Sequence, residues 1–388
     1  MMAIWDSFFQ MAHNHRVALQ EDFSIDVDYI KLPTRRFYDY LTGTAFKGPF
    51  GAGIGQEVVD IRPCAYKRFL GLTQQENWYN RAFVYTKDEP HGKDAYDAVR
   101  RIGAEVKEGS GGKLMRMVTK QYAAATPELG TLENDIDIFC GPTPVSLIPE
   151  AVKKGKIIWT YNGGMAGGPY VDAPAAACRT HAWAGFITGS RLWYFWRGMY
   201  WVDKYSALSQ DATKALYKDK DTSKYLTDLW NDPLTFDESK KVMKNGKLYP
   251  AKNALRINGD GVLFYPGKDV GIDGAIATVR LKNCRQGAGD FEYLYLLEKM
   301  GRNDAAEAEA RNLLGPAGAG AKSADGQQSG GDRFNNYELD GAKWDAARIR
   351  LGIILDSLGE SAIRAKVSPW NEFPNPTGAP GYLGGKRY

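Results

Sequence analysis

Through its first two hundred residues the chain alternates short β-branched and aromatic runs with stretches of helical periodicity, and this alternation restricts the fold more than any other feature. Parallel strands joined by crossover helices read this way, since each strand is buried on both faces and each helix carries one apolar stripe. The strand candidates are Val17–Leu19, Ala45–Phe50, Ala82–Lys87, Lys113–Thr119, Asp135–Phe139, Lys156–Tyr161 and Arg191–Trp196. Between them lie the helix candidates Trp5–His13, Arg35–Leu41, Cys64–Leu72, Lys93–Lys107, Ser146–Lys153 and Ala175–Ile187. In Lys93–Lys107, the residues Ala95, Val99, Ile102 and Val106 stand at helical spacing with charge on the opposite face. Seven strands in this order predict an α/β fold of the (β/α)8, TIM-like barrel type, which places reactive residues on loops at the C-terminal ends of its strands. The count is one short, and the chain opens on a helix where a barrel opens on a strand, so the first barrel strand is expected to be missing. Another segment or a second chain would fill that gap, which makes oligomerisation one way to complete the barrel.

After Trp201 the pattern changes. Residues 1–200 are expected to hold the barrel and its catalytic loops. Residues 201–300 are expected to hold a polar insertion, followed by a strand within Asn258–Gly267 and a helix over Ala275–Met300 that complete the barrel domain. Residues 301–388 are expected to form a Gly-, Ala- and Ser-rich linker (Gly315–Gly331), a C-terminal helix over Ala342–Leu358 and a tail.

The chain has 388 residues, enough for an ample core. Its 50 basic and 46 acidic residues leave a net charge of +4 without long basic runs, so nucleic acid is not implied as a partner. No apolar run reaches membrane-spanning length, and the N-terminus has no basic segment followed by an apolar core, so no membrane association is expected and no signal peptide is read. Compartment stays open, because Cys64, Cys140, Cys178 and Cys284 form neither a CxxC nor a regular disulfide framework. No metal and no cofactor is expected. His13 and His15 lack a matching carboxylate or cysteine cluster, Gly51-Ala-Gly53-Ile-Gly55 departs from a nucleotide loop, and Asn258-Gly-Asp260-Gly lacks the later ligands of a calcium loop.

Chemistry concentrates at the end of one run. Ala82-Phe83-Val84-Tyr85-Thr86-Lys87 stops abruptly at Asp88-Glu89-Pro90. Two adjacent carboxylates repel, which raises the pKa of one and suits a general acid working near neutrality. The same tripeptide is also an ordinary way to end a strand and begin a helix, with Asp as cap and Pro in the first turn. Two later runs add aromatic groups at strand ends: Trp159, Tyr161 and Asn162 on one, Trp193, Tyr194 and Trp196 on the other. Aromatic faces pack on the C–H faces of sugars, and Tyr hydroxyls and Asn amides bond their substituents, so a glycan is the expected partner.

Four segments carry a family resemblance: Tyr85-Thr86-Lys87-Asp88-Glu89-Pro90; Trp159-Thr160-Tyr161-Asn162; Asn258–Gly267; and Ile276–Leu281 continuing through Arg285-Gln286-Gly287 and Asp290-Phe291-Glu292-Tyr293-Leu294. Over roughly residues 10–300 the chain resembles the catalytic region of glycoside hydrolase family 123, also described as domain of unknown function 4091. The resemblance implies a barrel that cleaves β-linked N-acetylgalactosamine with retention, by substrate-assisted catalysis. It implies Glu89 as the acid and base, and Asp88 as the group that orients the acetamido substituent and stabilises the oxazolinium intermediate. Tyr161 is the candidate for bonding the acetamido carbonyl, with Trp159, Trp193 and Trp196 lining the ring site. The family carries a β-sandwich ahead of its barrel, which has no counterpart here, and the resemblance implies a secreted or periplasmic protein. A carbohydrate-binding or structural protein on a truncated barrel, weak or inactive in catalysis, is the alternative.

Overall fold

A computed structural model describes residues 2–19, 39–48 except 41, 59–72, 79, 82–123, 126–190 except 172, 192–195, 198, 230, 242–244, 247–249, 262–318 and 333–366. Helix α1 (Met2–Asn14) comes first. It is followed by strand β1 (Val59–Ile61), α2 (Tyr66–Leu72), β2 (Ala82–Lys87), α3 (Gly92–Gly109), β3 (Met115–Val118), β4 (Ile138–Cys140), α4 (Ile148–Lys153), β5 (Ile157–Tyr161), α5 (Ala176–Thr188) and β6 (Leu192–Tyr194). These six strands form one parallel sheet in sequential order, each paired to the next. Sequential order with every crossover on one side is the topology of a barrel wall, and the sheet curls accordingly. The curl brings its two outer strands together across the concave side, where the Tyr194 hydroxyl on β6 donates to Asp60 Oδ2 on β1 at 3.4 Å.

The described sheet therefore corrects the expectation of an eight-stranded barrel to a six-stranded half-barrel. Two expected strands do not form in the described residues, for local reasons. Val17 continues the end of α1, its amide bonding to Ala12 O, and Ala45 closes a turn onto Asp39 O. The expected helix Arg35–Leu41 and residues 49 and 50 lie largely outside the described residues. In their place the unforeseen β1 pairs with β2, Asp60 opposite Phe83.

Pleat alternation divides the strand residues into two sets. Phe83, Tyr85, Met117, Ile138, Cys140 and Trp159 form the concave core, with Tyr161, Leu192 and Tyr194 packed against it. On the convex side Val118, Phe139 and Ile158 pack with Trp183 and Phe186 of α5, while Val59, Ile61 and Val84 pack with Phe69 and Val106.

A hairpin of β7 (Val242–Lys244) and β8 (Lys247–Tyr249) interrupts the fold, and β9 (Phe264–Pro266) pairs antiparallel with β10 (Ala275–Ala277). The helix expected over Ala275–Met300 thus begins later, as α6 (Val279–Lys299). Thr278 caps it, accepting from the Leu281 amide at 3.2 Å. Helices α7 (Asn303–Leu314), α8 (Gly341–Leu358) and α9 (Glu360–Lys366) follow. Residues from α5 to α8, among them Trp183, Phe291, Leu294, Ala310, Trp344 and Leu351, share one buried core. Gly287 lets α6 approach α5 closely, since a Cβ there would lie 3.0 Å from Arg179 O. The polar centre of this layer is Asp290, fully buried. It accepts from Arg179 and from Trp183 Nε1 (2.8 Å), with Arg348 Nε 3.3 Å away.

Candidate active site at the C-terminal ends of the strands

Strand β2 ends irregularly. Its register on β3 pairs Tyr85 with Met117 but Lys87 with Val118, so one extra residue bulges at Thr86, whose hydroxyl donates to Met117 O at 2.7 Å. A bulge re-aims the side chains that follow it. Those are Asp88 and Glu89, both exposed at the end of the strand.

The loop that carries them is held by three short bonds, one to its own strand and two to Thr119 at the end of β3. Asp88 Oδ1 accepts from the Tyr85 hydroxyl at 2.7 Å and from the Thr119 hydroxyl at 2.9 Å. Thr119 in turn accepts the Glu89 amide at 2.7 Å. Tyr85 and Thr119 are both buried, so the network is anchored in the wall of the sheet. Burial, and then the bond to Asp88, raises the Tyr85 phenol above its ordinary range, which keeps it a proton donor to that carboxylate. The Arg62 guanidinium stands 5.0 Å from the Tyr85 ring centre. Glu89 has φ of 33°, in the left-handed region that a residue with a Cβ adopts at a cost of about 1–3 kcal/mol. A bidentate grip on the preceding residue and on its own amide holds it there.

Across the concave side, β5 contributes Trp159 and Tyr161 from the same pleat face. Trp159 is buried on the floor, edge-on to Phe83 with ring centres 5.0 Å apart and stacked on Tyr194 at 6.3 Å. Tyr161 lies nearer the strand end and is half-buried, its ring 6.2 Å from that of Tyr194. Burial raises the Tyr161 phenol, and the charges of Asp88 and Glu89 raise it further. Asn162 follows with φ of 47°, its amide donating to Tyr194 O at 3.0 Å.

The residues expected from sequence thus fall into three groups. Trp159, Tyr161 and Tyr194 meet on the concave face with Asn162 next to Tyr161, while Asp88 and Glu89 stand at the end of β2, where their charges act on Tyr161. Trp193 does not join them, because it alternates with Tyr194 and its ring stacks instead on His181 of α5 at 3.9 Å. Trp196 lies outside the described residues, as do Gly51–Gly55 and Asn258–Gly261. Tyr85 and Thr119 were missed. Strict alternation would have put Tyr85 and Asp88 on opposite faces; the bulge at Thr86 brings them together, and Thr119 follows the strand that pairs with β2.

His13 and His15 have other occupations: His13 stacks on Phe46 at 3.8 Å, and His15 Nδ1 donates to Met11 O at 2.8 Å. Among the described residues no group of three His, Cys, Asp or Glu side chains could hold a metal ion.

His181 itself predicts an acid sensitivity. Its Nε2 donates to Gly167 O at 2.6 Å, and burial, reinforced by Arg333, lowers its pKa from 6.5 to about 4. The unfolded chain therefore takes up the proton first, and stability falls as pH drops from about 6.5 towards 4. The full loss from this group is of order 3 kcal/mol. Urea unfolding at a series of pH values measures it, and His181→Gln, which cannot titrate, is expected to flatten the profile across that window. An equally steep profile in the variant would show that the loss arises elsewhere.

No family model and no curated protein matches the sequence. Among solved structures the chain is similar to a family 123 glycoside hydrolase from Clostridium perfringens, whose structure was analysed for the hydrolysis of glycolipid glycans. The TM-score is 0.42 and the identity 14%, over 79% of this chain and 46% of that one. The chain spans about half the length of that protein.

Proposed function

We propose that this chain is a glycoside hydrolase acting on a β-linked N-acetylhexosamine, N-acetylgalactosamine in the first instance, with retention and with the substrate's acetamido group as nucleophile. The observation that carries the reading is the fixing of Asp88 Oδ1 by two buried hydroxyls while the next residue, Glu89, is held in a left-handed conformation by the same threonine. Two-carboxylate hydrolysis needs groups on opposite sides of the scissile bond, roughly 5–9.5 Å apart, and adjacent residues serve that geometry poorly. They serve well when the nucleophile belongs to the sugar. One carboxylate then handles the leaving-group proton and the other the nitrogen of the acetamido group.

In this mechanism Glu89 protonates the glycosidic oxygen as the C1–O bond breaks and the acetamido carbonyl oxygen attacks C1. Asp88 accepts the acetamido N–H and balances the positive charge that develops on the oxazolinium ring. Tyr161, kept protonated by burial and by the two carboxylates, donates to the acetamido oxygen and aims it at C1. Water, deprotonated by Glu89, then opens the ring with a second inversion, which gives net retention. Trp159 and Tyr194 supply the aromatic floor, and Asn162 completes the sugar contacts.

The acetamido group is the test. Wild-type protein is expected to turn over an aryl N-acetyl-β-galactosaminide and to leave the matching 2-hydroxy galactoside intact, and Asp88→Asn is expected to lose at least about 10²-fold in kcat. Equal turnover of both sugars would overturn substrate assistance. Glycan binding without any turnover, unchanged in Asp88→Asn, would favour a carbohydrate-binding protein instead.

A further inference from the structure

Between β5 and α5 the chain runs through Asn162-Gly163-Gly164-Met165-Ala166-Gly167-Gly168, a loop with unusual backbone demands. Asn162, Gly164 and Gly167 all have positive φ, at 47°, 39° and 90°. Glycine adopts this region freely, whereas asparagine tolerates it only with support. The support comes from the convex side of the sheet. Trp193 Nε1 donates to Asn162 O at 2.7 Å, and its ring lies on the imidazole of His181 at 3.9 Å with the planes 10° apart. His181 Nε2 donates in turn to Gly167 O, so the two stacked rings hold the loop at its first and sixth residues. Gly164 sits between them: a Cβ there would meet His181 Cε1 at 2.8 Å. Inside the loop, the Gly164 amide bonds to Tyr161 O at 2.9 Å and the Gly167 amide to Gly163 O at 2.8 Å.

We propose that Trp193 and His181 are positioning residues, a clamp on the convex side that fixes Asn162 and thereby the presentation of its amide beside Tyr161 at the site. The inference rests on the reading of Asn162 as a sugar contact. Trp193 then contributes to sugar binding through Asn162 rather than by lining the ring. An indole N–H suits the task because the ring buries against the imidazole while its single donor reaches one carbonyl.

The experiment removes one proton donor and nothing else. Trp193 is replaced by 3-benzothienylalanine, whose sulfur takes the place of Nε1–H while the ring volume and the stack on His181 are kept. Two readouts follow: hydrogen exchange at the Gly164 and Gly167 amides, and KM and kcat for the aryl N-acetyl-β-galactosaminide. Exchange at both amides is expected to speed up about fivefold, the worth of one net hydrogen bond. KM is expected to rise about 5–10-fold while kcat stays within about twofold, because the Asn162 contact is made in the ground state and the transition state alike. In an Asn162→Gly background the sulfur substitution is still expected to speed exchange, since the backbone carbonyl at position 162 still accepts from the indole, but it is expected to leave KM unchanged, because no side-chain amide remains to be presented.

Unchanged exchange would overturn the clamp. Faster exchange with an unchanged KM in an active protein would overturn its positioning role and leave Trp193 and His181 as packing residues. If wild type turns over no N-acetylhexosaminide, the functional reading fails, and exchange in the two backgrounds decides the clamp on its own.

Discussion

Glu89→Gln is expected to lower kcat by about 10²–10⁴-fold on a β-N-acetylgalactosaminide whose aglycone is an ordinary alcohol or sugar, the range that a positioned general acid contributes. The loss should shrink steadily as the aglycone becomes a more acidic phenol, because a leaving group that departs as a stable phenolate needs no proton. Glutamine keeps the volume and the backbone preference of Glu89, and the residue is exposed at the strand end, so the fold is not at stake. Asp88→Asn should behave differently. Its part is to balance charge on the acetamido group, a demand that every aglycone makes equally, so its loss should be the same across the series. The measurement is kcat/KM for both variants over a set of aryl and alkyl glycosides. A flat series for Glu89→Gln would remove it as the acid, and parallel slopes for the two variants would mean that the roles are not divided between them.

Which parts of this arrangement could be read from residues alone follows from where the information sits. Ala82–Lys87 and the helix after it were legible because an apolar run ends at charged residues and a clear helical period follows, and β2 and α3 keep nearly those limits. Strand β1 was not, since it is three residues long and Asp60 interrupts its apolar pattern. That aspartate is tolerated because the curl of the sheet brings Tyr194 to it, a contact between first and last strands that no local pattern encodes. Val17–Leu19 has strand-like composition yet serves as the exit of α1, its residues packing beside Phe264. At the site, the pair Asp88 and Glu89 stood out by its chemistry, whereas its supports Tyr85 and Thr119 are ordinary residues that matter only through the pairing of β2 with β3. Trp193 was misplaced for a reason within reach of the sequence: adjacent residues of a strand point to opposite faces, so Trp193 and Tyr194 cannot both face the sugar.

The segment Arg285–Leu294, part of the family resemblance, answers to stability more than to chemistry. Asp290 lies inside the helix layer, where it accepts from Arg179 and the Trp183 indole and is paired with Arg348, and Arg179 reaches on to Asp345 at 2.7 Å. Asp290→Ala would strand the buried Arg179 with one exposed partner and leave the Trp183 N–H without its acceptor in the core shared by α5, α6 and α8. Removing one member of a buried ion pair costs about 3–5 kcal/mol, chiefly because the remaining charge stays buried. Urea unfolding should therefore show a midpoint lower by that amount of free energy, with an unchanged slope if the native state stays compact. Asp290→Asn keeps an acceptor for the indole and part of the bond to Arg179, so it should cost less than the alanine change. Removing the opposing charge as well provides the control. Arg179→Met in the Asp290→Ala background replaces the stranded guanidinium with an apolar chain, and it should recover part of the loss, because two apolar groups in this layer avoid the desolvation that the ion pair bears. A double variant less stable than Asp290→Ala alone would mean that Arg179 stabilises the layer through Asp345 and its packing over Trp344, its guanidinium 5.9 Å from that ring centre, rather than through Asp290.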